Sequence, residues 1–257
     1  MSKLANIIEK IFTGNAFVMS FMIVALVVII ADFVSKKITK GRVHYSAIAI
    51  FLALVLAYIG GKVTGGTKGI ADVSIFTGVG VLGASTLRDY TIVSTAFGAK
   101  MSEIKKCGVI GFVALLVGIV FTFIIGAIVA YAFGYRTAAD VATIAAGATT
   151  FVVGPVTGAA VGASDAVIAI SIAVGVFKSL AVMLITPIMA KKIGLNTPRA
   201  AMVFGGLMGT TSGTTSGLAA TDPKLVPYGA MTSTFYTGMG CLLCPTVLYF
   251  IVKIFLP

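Results

Sequence analysis

The fold is decided by two stretches in the second half of the chain, GATTFVVGPVTGAAVGASDA at 147–166 and GGLMGTTSGTTSGLAATDPK at 205–224. The first contains the pattern G-x6-G-x2-T-G, and the second repeats this spacing with serine in place of threonine. The matching positions are a constant 59 residues apart. They are Gly147, Gly154, Thr157 and Gly158, matched by Gly206, Gly213, Ser216 and Gly217.

Composition places both stretches in a membrane protein. Of 257 residues, 58% are hydrophobic and 11% are charged, whereas soluble globular proteins are ~45–50% apolar and ~25% charged. A soluble domain, a disordered tail and a coiled coil are therefore excluded. The net charge of +11 comes from short basic clusters between apolar runs. Such clusters are typical of loops that set membrane orientation rather than of nucleic-acid binding.

Basic clusters also predict which loops are cytoplasmic, because Lys and Arg are enriched there. We place the clusters at 36–42, 100–106 and 191–199 inside. Segment 137–164 then leaves the outer face and returns to it, and segment 200–222 enters from the cytoplasm and returns. Three apolar runs are expected to be ordinary spanning helices, at 11–31, 43–61 and 107–135.

The predicted fold is therefore an all-α polytopic membrane protein, with transmembrane helices and two re-entrant hairpins forming an inverted-topology repeat. Irregular backbone cannot face lipid, so each hairpin must pack on protein or line a cavity. Such repeats are common in secondary transporters, which hold substrate and coupling ions near the midplane. We expect scaffold-like helices over 1–134 and a substrate- and ion-binding half over 135–257, with repeats at about 137–190 and 199–252.

The glycines of the two stretches have a competing interpretation. Small residues spaced four apart allow helices to pack closely in lipid, and this alone would explain them. Packing explains the hydroxyl groups less well, because six of the seven residues at 210–216 carry one. Hydroxyls and freed backbone groups at a hairpin tip suit a dehydrated cation or an anionic oxygen.

Lys178 lies midway along its predicted helix, with twelve uncharged residues on either side. A lysine in the membrane is costly and usually faces a bundle interior or a cavity. Two interpretations stay open: a structural salt bridge to Asp165 or Asp222, and binding of a substrate carboxylate. No other cationic side chain is predicted at mid-depth, since Arg88 and Lys62 lie nearer the interfaces.

An enzyme is not predicted, because the sequence shows no nucleophile–base pairing. The GxGxxG match at 78–83 lies inside an apolar segment and lacks a strand–turn–helix context. Cys241 and Cys244 have CxxC spacing, but no second pair or histidine cluster supports a metal site. We interpret the cysteines as structural thiols and expect no cofactor.

At these residues the chain resembles a known family. Its two Gly/Thr/Ser stretches and GGTKGIAD at 65–72 are similar to the M subunit of the two-subunit sodium-dependent malonate symporter. The resemblance covers nearly the full length. It implies a multi-pass protein of the bacterial inner membrane, working with a smaller membrane subunit, L. It also implies uptake of malonate with sodium as the coupling ion. From the residues themselves we expect no nucleic-acid partner and no metal beyond sodium.

Two other interpretations remain. Antiholin-like membrane pairs also have a large subunit with a lysine-bearing helix that ends in Thr-Pro, as Lys178 and Thr186-Pro187 do here. A structural or channel-forming subunit that carries no substrate is the third.

The candidate site residues rest on the residue pattern, because the resemblance supplies no defined site. The substrate-binding candidates are Thr149, Thr150, Gly154, Thr157, Gly158, Lys178, Gly213, Thr214 and Thr215. The sodium-binding candidates, chosen because sodium takes oxygen ligands, are Thr210, Thr211, Ser212, Ser216 and Asp222.

Overall fold

The computed structural model describes residues 3–40, 45–66, 69–83 and 101–257. Within these ranges all regular secondary structure is helical. Five helical segments are long and apolar enough to cross a membrane, at Ala16–Ile38, Ile48–Asp72, Gly108–Ala132, Asp165–Met189 and Pro223–Phe255, and the second of these extends over residues outside the described ranges. The prediction of an all-α polytopic membrane protein is confirmed. The predicted interfacial position of Arg88 lies outside the described residues.

The chain divides into two compact units, residues 1–93 and 94–257. Among the described residues, the helices of the first unit are α1 (Lys3–Gly14), α2 (Ala16–Phe33), α3 (Tyr45–Thr64) and α4 (Thr77–Gly83). Helix α2 continues into a π-helical turn at Val34–Ile38. There Lys36 forms an ion pair with Asp32 at 2.8 Å, one turn back along the helix.

The second unit contains the two stretches that match in sequence. Its helices are α5 (Met101–Ala132), α6 (Ala138–Thr149), α7 (Val153–Val161), α8 (Asp165–Met189), α9 (Pro198–Met208), α10 (Thr211–Ala219), α11 (Val226–Leu243) and α12 (Tyr249–Phe255). A 3₁₀ turn at Pro223–Leu225 precedes α11, and a π-helical turn at Cys244–Leu248 follows it. Helix α5, which was expected in the scaffold-like half, packs here against α6 and α9.

Each matching stretch folds as two short helices separated by a break. The first break, residues 150–152, begins where Thr150 becomes extended, with φ −161° and ψ 150°. The second break is Gly209–Thr210, where Gly209 has a left-handed φ of +71° and Thr210 is extended. A left-handed φ favours glycine, which ends helices of this kind.

Helices α6 and α7 form an antiparallel pair, referred to below as the first helix pair. Gly154 packs on Gly147 and Gly158 packs on Thr143, so α7 runs back along α6. Gly158 also lies against the first turn of α8, and the first break lies against Gly175 near the middle of α8. This pair therefore covers the N-terminal half of α8.

Helices α9 and α10 form the second helix pair, which covers the C-terminal half of α8. The second break lies beside Ser179, and Gly217 lies against Thr186, so α10 runs parallel to α8 toward its end. Gly229 in α11 lies against Leu218 near the end of α10 and also against the start of α9. The start of α9, the end of α10 and the start of α11 are therefore at the same end of the unit.

Helices α5 and α11 run past both breaks. Gly118 in α5 lies against Leu207, and Gly126 lies against Ala145, close to the ends of α9 and α6. A buried apolar cluster that includes Ile119 and Tyr236 joins α5, α6, α7 and α11. The two breaks are thus enclosed by the three long helices of the unit.

Candidate functional site

The first break presents a main-chain oxygen. Val153 N bonds to the Thr150 carbonyl at 3.0 Å, so the Thr149 carbonyl is not used by the regular helical bond from this amide. Instead Lys178 Nζ donates to the Thr149 carbonyl oxygen at 2.8 Å. Both threonines are buried, with 0% and 2% of their surface exposed. A buried carbonyl needs such a partner, and here the partner is a lysine from the middle of α8.

Lys178 has no acidic partner in the part of the chain that the structure describes, in contrast to Lys36, which pairs with Asp32. Asp165 lies thirteen residues earlier on the same helix, about 20 Å away along its axis. Asp222 accepts from the backbone N–H of Lys224 at 3.0 Å and caps the turn before α11. The structural salt bridge left open by the sequence is therefore not formed with either acid.

The aromatic ring of Tyr236 is the second neighbour of the Lys178 ammonium, which lies 5.3 Å from the ring centroid. This distance is within the range of a cation–π contact. Tyr236 is fully buried, and its hydroxyl donates to the Gly118 carbonyl at 3.2 Å. A Cβ on Gly209 would overlap the ring, so Tyr236 also holds the second break.

Sequence reasoning missed Tyr236. Tyrosine in membrane proteins is typical of the interfaces, where its hydroxyl meets water. Tyr236 instead lies well inside the span Pro223–Phe255. A buried hydroxyl at that depth must find a partner within the protein. The position of Tyr236 far from either end of its apolar run was the feature of the sequence that could have identified it.

The second break presents hydroxyl groups. Ser179 Oγ donates to the Gly175 carbonyl at 3.0 Å, so in its hydrogen bond with Thr210 the threonine hydroxyl is the donor. Thr210 Oγ1 also accepts from Gly213 N at 3.4 Å and thereby caps α10. The second break is thus tied to α8 one residue after Lys178, so α8 holds both breaks near its middle.

Two predicted hydroxyls are buried and unpartnered. Thr157 in α7 and Thr214 in α10 are both 0% exposed, and neither Oγ1 has a hydrogen-bond partner within the described residues. Leaving a buried polar atom unsatisfied costs about 1–3 kcal/mol. Such atoms are candidates for contacts with a bound ion or substrate.

The other predicted residues have more varied surroundings. Thr215 donates to the Thr211 carbonyl at 2.8 Å, so its hydroxyl is used inside α10. Asp222 is separated from the second break by the whole of α10. Ser212 and Ser216 are half-buried on α10.

The predicted glycines lie where helices touch. Gly154 packs against Ser171, Gly158 against Ile168, and Gly213 against the backbone of Ser179. A side chain at any of the three would overlap its neighbour, as the helix-packing interpretation expects. A ligand-binding role for them stays a prediction.

The chemistry of this site is that of oxygens and one ammonium group. In the described ranges no group of three or more His, Cys, Asp and Glu side chains could hold a metal ion. A cavity of about 360 Å³ between α5, α9 and α11 is lined by apolar residues such as Leu115, Met202 and Met239. Its lining includes none of the predicted site residues. It also has no charged side chain that could compensate the negative charge of a carboxylate.

A lysine and freed oxygens at helix breaks between long helices are typical of membrane transport proteins. Residues 8–256 match the family described as the malonate/sodium symporter MadM subunit, and the chain belongs to this family. It is a membrane subunit of a malonate/sodium symporter. The expectation from the resemblance is therefore confirmed, and the match does not support the antiholin-like alternative. No curated protein sequence and no solved structure matches the chain.

Proposed function

We propose that this subunit binds malonate and sodium at the two breaks, which both lie against the middle of α8 beside Lys178. The observation that carries the proposal is the Lys178 ammonium, which contacts the first break and has no described carboxylate partner. A dicarboxylate entering a membrane requires compensating positive charge, because burying an unpaired ion is very costly. An ammonium has three donors, and the contact with Thr149 uses one of them.

The two helix pairs are proposed to be re-entrant hairpins related as an inverted-topology repeat. Support comes from the 59-residue offset and from the coverage of opposite halves of α8 by the two pairs. Helix α8 has 25 residues and so is about 37 Å long, enough to cross a hydrocarbon core of about 30 Å. Breaks beside its middle are then near the midplane.

Sodium is proposed to bind among the hydroxyls and carbonyls of the second break. The candidates are Thr210, Thr211, Ser212 and Ser216, with Asp222 kept as a more distant one. Sodium favours oxygen ligands, as other hard cations do. Thr210 supports this location most directly, because it is buried and lies beside Ser179.

A smaller L subunit is proposed to complete the transporter in the bacterial inner membrane. The family description calls the chain a subunit, which implies further chains. The described part of the first unit contains two of the five candidate spans, which are few helices to brace a moving substrate-binding half. No separate cofactor is proposed beyond sodium as the coupling ion.

Uptake by the reconstituted complex tests the site. Lys178→Met should weaken malonate binding by about 1.5–3 kcal/mol, or roughly ten- to a hundredfold, the scale of a lost charge-assisted hydrogen bond. Lys253→Met removes an exposed cation near the end of α12 and is the matched control. Sodium-driven uptake and equilibrium binding of labelled malonate are the measurements. A stable Lys178→Met complex that binds malonate normally would overturn the proposed site.

Cysteine labelling on a cysteine-free background tests the hairpins. Single cysteines at Lys192 and Lys224, both exposed, should react with an impermeant reagent from one face of the membrane. Cysteines at Arg136 and Asp165, also exposed, should react from the other face. Reaction of the Lys192 and Lys224 positions from opposite faces would show that the second pair crosses the membrane instead.

A further inference from the structure

The Lys178 ammonium lies against groups that bind free cations. One is the Thr149 carbonyl oxygen, which accepts from Nζ at 2.8 Å. The other is the face of the Tyr236 ring, 5.3 Å from Nζ. Neither group carries a formal negative charge, and no carboxylate within the described ranges pairs with this lysine. Carbonyl oxygens that replace water around an ion are a common way of binding alkali cations in membranes.

We propose that Lys178 acts as a tethered substitute for sodium at a second cation site, built on the Thr149 carbonyl of the first break and separate from the hydroxyl site proposed at the second break. An entering sodium ion displaces the lysine from this second site. This inference rests on the proposed function, because it concerns the same lysine and the same ions. The displaced ammonium loses its carbonyl partner and needs a new one in a water-poor environment. A malonate carboxylate supplies that partner.

Electrostatic repulsion drives the exchange. Two cations cannot share one carbonyl oxygen at close range in a low-dielectric site, since their mutual repulsion is only weakly screened there. The side chain of Lys178 is flexible and can move while its backbone remains in α8. The Thr149 carbonyl is held by a buried helix end and stays in place.

The exchange would couple the two solutes. Without sodium, the ammonium stays on Thr149 and is less available to malonate. Without malonate, sodium must displace the lysine and leave its charge without a partner. Each solute therefore raises the affinity of the other, and such coupling is reciprocal by linkage. The coupling follows from one charged side chain with two alternative partners.

Sodium binding in the absence of malonate tests the exchange, using the purified complex and equilibrium dialysis with radioactive sodium. Lys178→Met removes the competing charge, so sodium should bind at least about tenfold more tightly than to the wild type. Lys178→Gln should also tighten binding, and its amide can keep a hydrogen bond to Thr149, which protects folding. Lys178→Arg retains the charge and should give no increase. Lys253→Met should leave sodium affinity unchanged.

The outcomes separate the two proposals. Unchanged or weaker sodium binding in folded Lys178→Met or Lys178→Gln, together with lost malonate binding, would overturn the exchange and leave the malonate site intact. Normal malonate binding in either variant would overturn the malonate site and the exchange with it. Tighter sodium binding with lost malonate binding is the result that the exchange requires.

Discussion

At the first break the chain presents a main-chain oxygen, whereas at the second break it presents hydroxyl groups. The Thr149 carbonyl accepts from Lys178, and the Thr210 hydroxyl bonds to Ser179, the next residue along α8. Two stretches with the same glycine spacing therefore place different chemistry beside one helix. The difference assigns the charged partner to the first break and a neutral, oxygen-rich environment to the second.

The two pairs also differ in what their matching glycines touch. In the first pair, Gly147 and Gly154 pack against each other and also on Ser171 of α8. In the second pair, Gly206 packs on α5 and Gly213 packs on α8. The matching glycines of the first pair therefore join its two helices to each other as well as to α8, whereas those of the second pair pack on two different flanking helices. Substitutions at the two breaks should therefore differ in size and in readout.

The largest effect is expected at Gly175, where the first break meets α8. A Cβ added by Gly175→Ala would fall on the backbone of Phe151, which cannot move aside as a side chain can. Overpacking of this kind costs typically 1–3 kcal/mol. We expect a lower midpoint of thermal unfolding and a loss of malonate binding, because the break moves away from Lys178.

Gly238→Ala is the control for this substitution. Gly238 lies in α11, another candidate spanning helix, and a Cβ there would meet nothing within 4 Å. Its thermal midpoint and malonate affinity should match those of the wild type. Equal behaviour of the Gly175 and Gly238 variants would show that the first break is not held tightly against α8.

A smaller effect is expected at the second break. Thr210→Val keeps the shape but removes the hydroxyl that bonds to Ser179 and caps α10. Loss of an N-cap, which leaves the Gly213 N–H without its partner, costs about 1 kcal/mol. Stability should fall by about this amount, and the sodium concentration for half-maximal transport should rise.

Thr150→Val makes the same change at the first break. Its hydroxyl accepts only a long hydrogen bond, 3.5 Å from Val152 N, so little is lost. We expect a smaller drop in stability than for Thr210→Val and an unchanged sodium dependence, measured by denaturant unfolding and by uptake. A larger loss of stability in Thr150→Val than in Thr210→Val would show that the hydroxyl matters more at the first break than at the second, contrary to this prediction.

Much of this architecture could be predicted from the sequence, because membrane constraints are strict. Charge-free runs identified the helices Gly108–Ala132 and Asp165–Met189, since only long apolar segments can cross a bilayer. The glycine spacing identified both broken segments, because a break needs special backbone conformations and close packing. The isolated Lys178 directed attention to the candidate site, since a charge within a spanning helix needs a specific reason.

The partners within the site could not be predicted in the same way. Lys178 and Thr149 are 29 residues apart, and no local pattern specifies that a lysine bonds to a carbonyl rather than to an acid. Tyr236 and Gly118 are 118 residues apart, so their contact depends on how α5 and α11 pack. The roles of individual hydroxyls in α10 were also beyond sequence reasoning, because helical periodicity does not show which of them bond within the helix, as Thr215 does.

The smallest structural effect is expected where a hydroxyl has no partner to lose. Thr157→Val in the first pair and Thr214→Val in the second each remove a buried Oγ1 that is unpartnered among the described residues. Replacing an unsatisfied buried hydroxyl by a methyl group of similar shape is neutral or stabilising. Stability by denaturant unfolding should therefore stay the same or rise in both variants.

Binding measurements on these two variants complete the comparison of the helix pairs. If an Oγ1 contacts a ligand in the loaded protein, its loss should weaken binding of that ligand by about 0.5–1.5 kcal/mol while stability is kept. On the assignment of the charged partner to the first break, Thr157→Val should weaken malonate binding more than sodium binding. Thr214→Val should weaken sodium binding more than malonate binding, because the hydroxyl-rich second break lies in its helix pair. The opposite preference would assign the two ligands to the opposite breaks, while two variants that bind both ligands normally would remove both hydroxyls from the site.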